Sequence, residues 1–227
     1  MSIERTTELH RKTKETDITL YLNLDGRGSI TGDYPIGFMT HMLTTFARHG
    51  LFDLDINARG DLEVDQHHLV EDTGIVLGQC FCRALGDKRG IRRVGSCLYP
   101  MDETLARAAV DISGRAFLVF NGDLSGVPLL AEAAISPLAG NSPEGHFTGA
   151  FQTDTVEDFW HGFTGACGCA LHLDILRGRS DHHKIEALFK AAARALRQAC
   201  EIDPRGAGAI PSTKGILGES SVPGVVA

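Results

Sequence analysis

His67-His68-Leu69-Val70-Glu71 recurs 115 residues later in the chain as His182-His183-Lys184-Ile185-Glu186. In each copy the first histidine and the glutamate are four residues apart, so on a helix they share one face. The second histidine is rotated by about 100° around the helix axis from the first, because a helix has 3.6 residues per turn. Each copy can therefore serve two different ions, and the two copies together can build a site for two metals. A ligand set of imidazole and carboxylate without thiolate suits Mn, Fe or Zn.

Paired histidines also occur on solvated helix faces, in protein cores and in purification tags. Both copies lie inside segments with an apolar pattern, which excludes a tag. The repeated spacing to glutamate favours metal binding over the two remaining structural interpretations.

The segments around the two copies follow a similar order. Alternation of apolar and polar residues predicts strands, and apolar spacing near 3.6 residues predicts helices. In the first half these patterns predict a strand at 18–25, a helix at 35–49, a strand at 51–58 and a helix at 67–85. In the second half they predict strand residues at 105–112 and 117–120, a helix at 155–164, a strand at 170–176 and a helix at 182–200.

An internal duplication explains this order most simply. His41 lies 26 residues before the first histidine pair and Asp158 lies 24 residues before the second, at matching places in the two repeats. We therefore predict two half-domains, residues 1–95 and 96–227, that form one globular unit. Residues 122–152 are rich in Gly, Pro, Ser and Ala and lack clear periodicity, which is typical of an insertion or a functional flap.

Size and composition limit the class of protein. A chain of 227 residues with 43% hydrophobic and 22% charged residues can bury a full core and is ordinary for a globular protein. The net charge of −7 argues against nucleic acid as a partner. The N-terminus is polar and no eighteen apolar residues run together, so we expect no membrane partner and a cytoplasmic location. The six cysteines form no Cys-x-x-Cys pair and lie at core-like positions, so we interpret them as reduced buried thiols.

Several further segments are long enough to be specific to one family. They are RKTKET at 11–16, HML at 41–43, ARHG at 47–50, HHLVEDTGIVLG at 67–78, GDKRGIRR at 86–93, PMDE at 100–103, HHKIEALFKAAARALRQA at 182–199 and IPSTKG at 210–215. Through these segments the chain closely resembles the imidazoleglycerol-phosphate dehydratase family, the hydro-lyases of histidine biosynthesis. Residues 122–152 are the main part that does not fit the family pattern.

The resemblance implies an α+β fold of duplicated half-domains, like domain 2 of ribosomal protein S5, with helices packed between two mixed β-sheets. It also implies a large symmetric homo-oligomer built from trimers, with active sites between subunits. Two Mn²⁺ ions per active site are expected, with Fe or Zn as substitutes. The residues at the family's metal-ligand positions are His41, His67, His68, Glu71, Asp158, His182, His183 and Glu186.

Two of these positions depart from the usual family pattern. Asp158 stands where the family often has histidine, and a carboxylate remains a suitable hard ligand for Mn. Thr40 stands where an aspartate usually precedes the equivalent of His41. If that aspartate orients the imidazole, threonine would do so less strongly.

The implied reaction is the dehydration of D-erythro-imidazoleglycerol phosphate to imidazole-acetol phosphate. The hydrogen to be removed lies on a carbon with no adjacent carbonyl and is scarcely acidic. Metal ions on the substrate's imidazole can stabilise an imidazolate, which expels the hydroxyl and leaves a diazafulvene-like intermediate. Proton transfer also requires a positioned carboxylate near the metals.

We assign the catalytic positions to Glu15, His49 and Glu186, with Glu15 as the candidate for proton transfer. Without the resemblance, Glu15 would be interpreted as an exposed glutamate at the end of a strand. The residues at the substrate- and phosphate-binding positions are Glu15, Arg93, Arg115, Lys190, Ser212 and Lys214.

Two other functions stay open from the residues alone. Pairs of histidine and carboxylate also activate water, so a dinuclear metallohydrolase of a phosphorylated small molecule is the second hypothesis. A metal-storing or structural oligomer is the third. Only the dehydratase accounts for the specific segments around the metal pattern.

Overall fold

The computed structural model describes residues 4–126, 129, 150–206 and 208–217. Within these residues the order of elements β-β-β-α-β-α occurs twice. The first repeat consists of β1 (Thr6–Lys12), β2 (Thr16–Asn23), β3 (Ile30–Asp33), α1 (Gly37–Gly50), β4 (Asp53–Gly60) and α2 (His67–Ala84). The second consists of β5 (Val94–Met101), β6 (Thr104–Asp111), β7 (Phe117–Asn121), α3 (Thr155–Cys167), β8 (Ala170–Arg177) and α4 (Asp181–Cys200).

The two repeats form sheets of identical topology. The strand order is β1-β2-β4-β3 in the first sheet and β5-β6-β8-β7 in the second. In each sheet three strands are antiparallel, and the last pair, β3 with β4 or β7 with β8, is parallel. The prediction of an α+β fold with duplicated halves and mixed sheets is therefore confirmed.

The helices exchange partners between the repeats. Helix α2 packs on the first sheet and against α3, whereas α4 packs on the second sheet and against α1. Each histidine-pair helix thus meets a helix from the other half. This exchange brings His41 close to the second copy of the pattern and Asp158 close to the first.

Glycine allows the closest of these contacts. A Cβ atom at Gly74 of α2 would lie 2.1 Å from the carbonyl oxygen of Phe159 in α3, and one at Gly95 of β5 would lie 2.0 Å from that of Ala195 in α4. Only a residue without a side chain permits such an approach. The fully buried aromatic rings of Trp160, Phe46, Phe81, Phe163 and Phe189 fill the space between the helices.

Most of the insertion predicted at 122–152 lies outside the described residues, namely 127–128 and 130–149. Its two ends are described. Ser125 donates hydrogen bonds from its N–H and hydroxyl to Asp181 at the start of α4, at 2.7 and 2.5 Å. Ala150 accepts a hydrogen bond from the Gln66 amide at 2.8 Å, next to α2. Both ends therefore lie beside the histidine-pair helices.

The half-domain boundary after residue 95 stays a prediction; in the structure β5 begins at Val94. None of the four helices in the described part of the chain combines the length and the apolar composition that a bilayer crossing requires.

Candidate metal centre and active site

Helices α1 and α4 bring together His41, His182 and Glu186. The Nε2 atoms of both histidines lie 3.3 Å from Oε2 of Glu186. Two donor atoms bound to one ion at about 2.1 Å are roughly 3.0 to 3.4 Å apart, so this spacing fits a metal ion. Within the described ranges it is the one group of three or more potential ligands whose donor atoms all lie within 4.8 Å of one another. We refer to these residues as the first cluster.

Glu186 is held in its ionised form. Burial alone would raise its pKa, but hydrogen bonds from His182, His41 and Lys190 outweigh burial and hold the pKa of this carboxyl well below its usual range. Lys190, one helical turn later, lies 2.8 Å from the other carboxylate oxygen. An ionised carboxylate is the form that coordinates a metal.

The matching helices α2 and α3 bring together His67, Glu71 and Asp158, which we call the second cluster. Nδ1 of His67 lies 3.2 Å from Oδ2 of Asp158, and its Nε2 lies 3.8 Å from Oε2 of Glu71. The two carboxylates thus contact opposite ring nitrogens, so the three donor atoms do not converge on one point. A shared ion at this cluster requires the imidazole to turn.

The second histidine of each pair has a carboxylate partner of its own. Nδ1 of His68 lies 3.0 Å from Oδ2 of Asp61, and Nδ1 of His183 lies 2.9 Å from Oε2 of Glu103. Each ring is steeply inclined to that of the neighbouring histidine, by 73° for His68 and 89° for His183. Each second histidine is therefore held through Nδ1 by a carboxylate that belongs to neither cluster.

These two contacts between histidine and carboxylate also shift pKa values, that of His68 in one contact and that of Glu103 in the other. The hydrogen bond that His68 donates to Asp61 raises the pKa of His68, against a smaller opposing effect of burial. The hydrogen bond that Glu103 accepts from His183, followed by the one from the backbone N–H of Ser180, lowers the pKa of Glu103 to about 2. A carboxylate on the remote ring nitrogen fixes the orientation and tautomer of a metal-binding histidine.

Glu15 and His49, two of the assigned catalytic residues, lie in different places. Glu15 is exposed in the turn between β1 and β2, where its carbonyl oxygen accepts a hydrogen bond from the Asp61 N–H at 3.0 Å. Its negative charge contributes to raising the pKa of His68, so it lies on the His68 side of α2. His49 lies near the end of α1 with its ring edge against Tyr99, at 5.4 Å between centroids. Burial, then the positive charges of Lys190 and Arg194, lower the pKa of His49.

The predicted phosphate ligands form two groups. Arg93 donates two hydrogen bonds to the carboxylate of Asp111, at 2.6 and 2.9 Å, and a third to the carbonyl oxygen of Pro211 at 2.9 Å. This last bond holds the segment that carries Ser212 and Lys214. Arg115 is exposed in the loop that follows β6, its N–H donating to Ser113 at 3.3 Å.

Lys190 belongs to the other group, beside Glu186. The Arg93 N–H bonds to the carbonyl oxygen of Ala199, nine residues further along α4 than Lys190. At 1.5 Å per residue these positions are roughly 13 Å apart along the helix. The two groups therefore lie at different places along α4.

Comparison with known proteins shows the family of the chain. The family model described as Imidazoleglycerol-phosphate dehydratase matches residues 34–196. The chain belongs to the imidazoleglycerol-phosphate dehydratase family. Its relative of that name from Gluconacetobacter diazotrophicus is 50% identical over 217 residues, which cover 96% of this chain and 100% of the relative. That from Lacticaseibacillus casei is 51% identical over 213 residues, which cover 94% of this chain and 100% of the relative.

Solved structures of the family are similar as well. The crystal structure of imidazoleglycerol-phosphate dehydratase from Staphylococcus aureus has a TM-score of 0.70 and 34% identity, and covers 87% of this chain and 99% of its own. The structure of the Pyrococcus furiosus protein in complex with (S)-C348 has a TM-score of 0.69 and 30% identity, and covers 92% of this chain and 100% of its own. The predicted family and the hydro-lyase class are confirmed.

Thr40 departs from the family pattern. In the structure its side chain contacts the backbone at the start of α1. Its buried hydroxyl lies 3.1 Å from the carbonyl oxygen of Ile36 and 3.2 Å from that of Tyr34, at the start of α1. These contacts fix the first turn of the helix that carries His41. The imidazole of His41 itself contacts Glu186, with its Nε2 3.3 Å from Oε2.

Two residues of the site were missed in the sequence, Asp61 and Glu103. Asp61 has the appearance of an ordinary turn residue after a strand, and Glu103 belongs to the quoted PMDE segment without a role of its own. Both contact histidines across loops whose positions only the fold determines. For Glu103, the family resemblance of the PMDE segment was the one feature of the sequence that indicated a role in the site.

Proposed function

We propose that this chain catalyses the dehydration of imidazoleglycerol phosphate to imidazole-acetol phosphate in the histidine biosynthesis of its cell, in the cytoplasm. Family membership supports the reaction. The observation that carries the proposal is the convergence of His41, His182 and Glu186 from the two halves of the chain, with donor spacing suited to one ion.

The second part of the proposal is a pair of Mn²⁺ ions per active site. The donor set of imidazole and carboxylate suits Mn, with Fe or Zn as substitutes. The first and second clusters would each hold one ion. His68 and His183 each contact, through Nδ1, a carboxylate outside the two clusters, and their Nε2 atoms would complete the coordination of ions held by a neighbouring copy. This arrangement supports a homo-oligomer, built from trimers, with active sites between subunits.

The chemistry divides between the ions and the chain. When bound, the two ions would supply Lewis-acid stabilisation of negative charge on the substrate's imidazole ring, which the expected imidazolate and diazafulvene-like intermediate requires. Glu15 would accept the proton from carbon at its carboxylate, and its exposed position leaves that carboxylate accessible. His49 is largely neutral near pH 7, because its pKa is lowered by burial and by Lys190 and Arg194, and so it can donate to or accept from a substrate hydroxyl.

Phosphate binding follows from the two groups of basic residues. Lys190 would bind the phosphate on the side of the first cluster. Arg93 lies beside Ala199, further along α4 than Lys190, and we propose that Arg93, Arg115, Ser212 and Lys214 bind the same phosphate from a neighbouring copy. Asp111 holds the Arg93 guanidinium in a fixed orientation.

The test is to add imidazoleglycerol phosphate to the manganese-loaded oligomer and to measure imidazole-acetol phosphate. We expect its formation, loss of activity in His41→Asn, and retained activity in the matched control His10→Asn, an exposed histidine on β1. Release of inorganic phosphate without the acetol product would indicate a metallohydrolase instead. Metal uptake without any reaction would indicate a metal store.

A further inference from the structure

The side chain of Tyr99, on β5, lies among three basic residues from two helices. Its ring centroid is 5.4 Å from the Lys190 ammonium and 5.9 Å from the Arg194 guanidinium carbon. The His49 ring meets it edge-on at 5.4 Å between centroids. The electron-rich face of an aromatic ring attracts cations at these distances.

Lys190 and Arg194 form a like-charged pair one turn apart on α4, which is unfavourable on an isolated helix. Lys190 is balanced by Glu186 at 2.8 Å. Arg194 is exposed, and no carboxylate in the described ranges pairs with it. The contact with Tyr99 offsets only part of the repulsion, so this surface keeps an excess positive charge.

His49 responds to this charge, since Lys190 and Arg194 both add to the effect of burial in lowering its pKa. A surface on which two cations and a neutral imidazole converge attracts an anion. By contrast, Arg93 already donates three hydrogen bonds to Asp111 and Pro211. Among the residues that the structure describes, none accepts a hydrogen bond from the Arg194 guanidinium, so its donors can reach an anion.

We propose that Arg194 binds the substrate's phosphate beside Lys190, and that Tyr99 is a positioning residue whose ring holds the two cations together. The proposal rests on the proposed function and extends it to two residues. One helical turn, roughly 6 Å, separates Lys190 and Arg194, which allows each to contact different oxygens of one phosphate. The planar guanidinium matches a pair of phosphate oxygens better than an ammonium does.

Steady-state kinetics of the metal-loaded oligomer tests the role of Arg194. A charged hydrogen bond is removed in Arg194→Gln, so we expect KM for the phosphorylated substrate to rise about tenfold to hundredfold with kcat within about threefold. Arg194→Lys keeps the charge and should give an intermediate KM. The matched control is Arg197→Gln, three residues further along α4, whose guanidinium faces Glu201 at 3.7 Å; its KM should not change. An unchanged KM in Arg194→Gln, or an equal rise in Arg197→Gln, overturns the proposal.

A pair of substitutions tests the role of Tyr99. Tyr99→Phe keeps the ring face and should keep KM within about twofold. Tyr99→Leu keeps an apolar side chain without the ring, and KM should rise about threefold to thirtyfold, the range of a cation–π contact. Combined with Arg194→Gln, the leucine variant should raise KM by less than the product of the single effects, because both changes act on one contact. Two results would exclude positioning by the ring. One is an equal KM in Tyr99→Phe and Tyr99→Leu. The other is a double variant whose rise in KM equals the product of the rises in Tyr99→Leu and Arg194→Gln.

Binding of inorganic phosphate separates this proposal from the proposed function, because it needs no turnover. Isothermal titration of the metal-loaded oligomer should show weaker phosphate binding in Arg194→Gln than in Arg197→Gln, whatever reaction the protein catalyses. Equal affinities in the two variants would remove Arg194 from the anion site and leave the dehydratase activity unaffected. If Arg194→Gln does not assemble, the same comparison is made with Arg194→Lys.

Discussion

Glu15 is exposed on the turn between β1 and β2, yet its charge acts on the pKa of His68 on α2. If it transfers the proton, Glu15→Gln should retain the metal content and lose at least about a hundredfold in kcat, the low end for general acid–base groups. Glu8→Gln, an exposed change on β1, is the control and should be neutral. Metal analysis and initial rates measure both properties. Near-normal turnover in Glu15→Gln would exclude this residue from the mechanism.

Asp61 and Glu103 act through the histidines they contact. Because each fixes the Nδ1 side of a histidine, Asp61→Asn and Glu103→Gln should weaken manganese binding about tenfold to hundredfold. Equilibrium dialysis with Mn²⁺ measures the change. Asp87→Asn serves as the control, since Asp87 pairs on the surface with Arg89. Unchanged metal affinity in both site variants would show that these hydrogen bonds do not orient metal ligands.

At the scale of elements, helix α2 can approach α3 only because Gly74 has no side chain. A Cβ atom there would lie 2.1 Å from a backbone oxygen, so Gly74→Ala should lower the free energy of unfolding by about 1 to 3 kcal/mol through overpacking. Gly165→Ala, on α3 with open space around it, should instead be neutral or raise it by about 0.5 to 1 kcal/mol. Denaturant unfolding of both variants gives the comparison. A stable Gly74→Ala protein would contradict the close packing of the two helices.

The end of α4 is tied to the first sheet by Arg5, which bonds to Asp25 and to the carbonyl oxygen of Cys200. The hydrogen bond from Arg5 lowers the pKa of Asp25 from its ordinary value of 3.8, against an opposing effect of burial. A lowered pKa adds stability above pH 3.8, and this stability is lost as the pH falls through the folded-state pKa.

Asp25→Asn should therefore lower the free energy of unfolding near pH 7 by about 0.5 kcal/mol, because solvent screens the half-exposed pair. The difference from the unmodified protein should shrink as the pH is lowered below 3.8. Denaturant midpoints measured at several pH values test this dependence. A difference that grows in acid would show that the ion pair does not stabilise the fold.

The sequence predicted the helices, the four inner strands and the edge strand β7, but missed the other three edge strands. Strand β1 buries only Leu9, β3 has four residues, and β5 contains glycine and proline. None of them shows the apolar alternation of β2 or β6, because edge strands bury less and pair on one side only. Their positions follow from the duplication, since β1 and β5 occupy the same place in the two sheets.

At the scale of the whole molecule, the sequence identified the candidate metal ligands but did not predict how they divide between the two clusters. Helical spacing separates His67 from His68, and this separation is present in the structure. That His41 meets the second copy of the pattern and Asp158 the first depends on the exchange of helix partners between the halves. No local pattern in the chain contains that information.

The two halves together build both clusters, and neither half could build one alone. Each cluster joins a histidine-pair helix with a helix from the other half, and each second histidine contacts a carboxylate outside the clusters. The central claim is that these four helices hold two ions that neighbouring copies share.

Anomalous scattering from a crystal of the manganese-loaded oligomer, recorded near the Mn absorption edge, tests this claim most directly. We predict one peak within bonding distance of His41, His182 and Glu186 and a second beside His67 and Glu71, each also contacted by His68 or His183 of a neighbouring copy. Manganese-loaded crystals without peaks at either cluster would contradict the account.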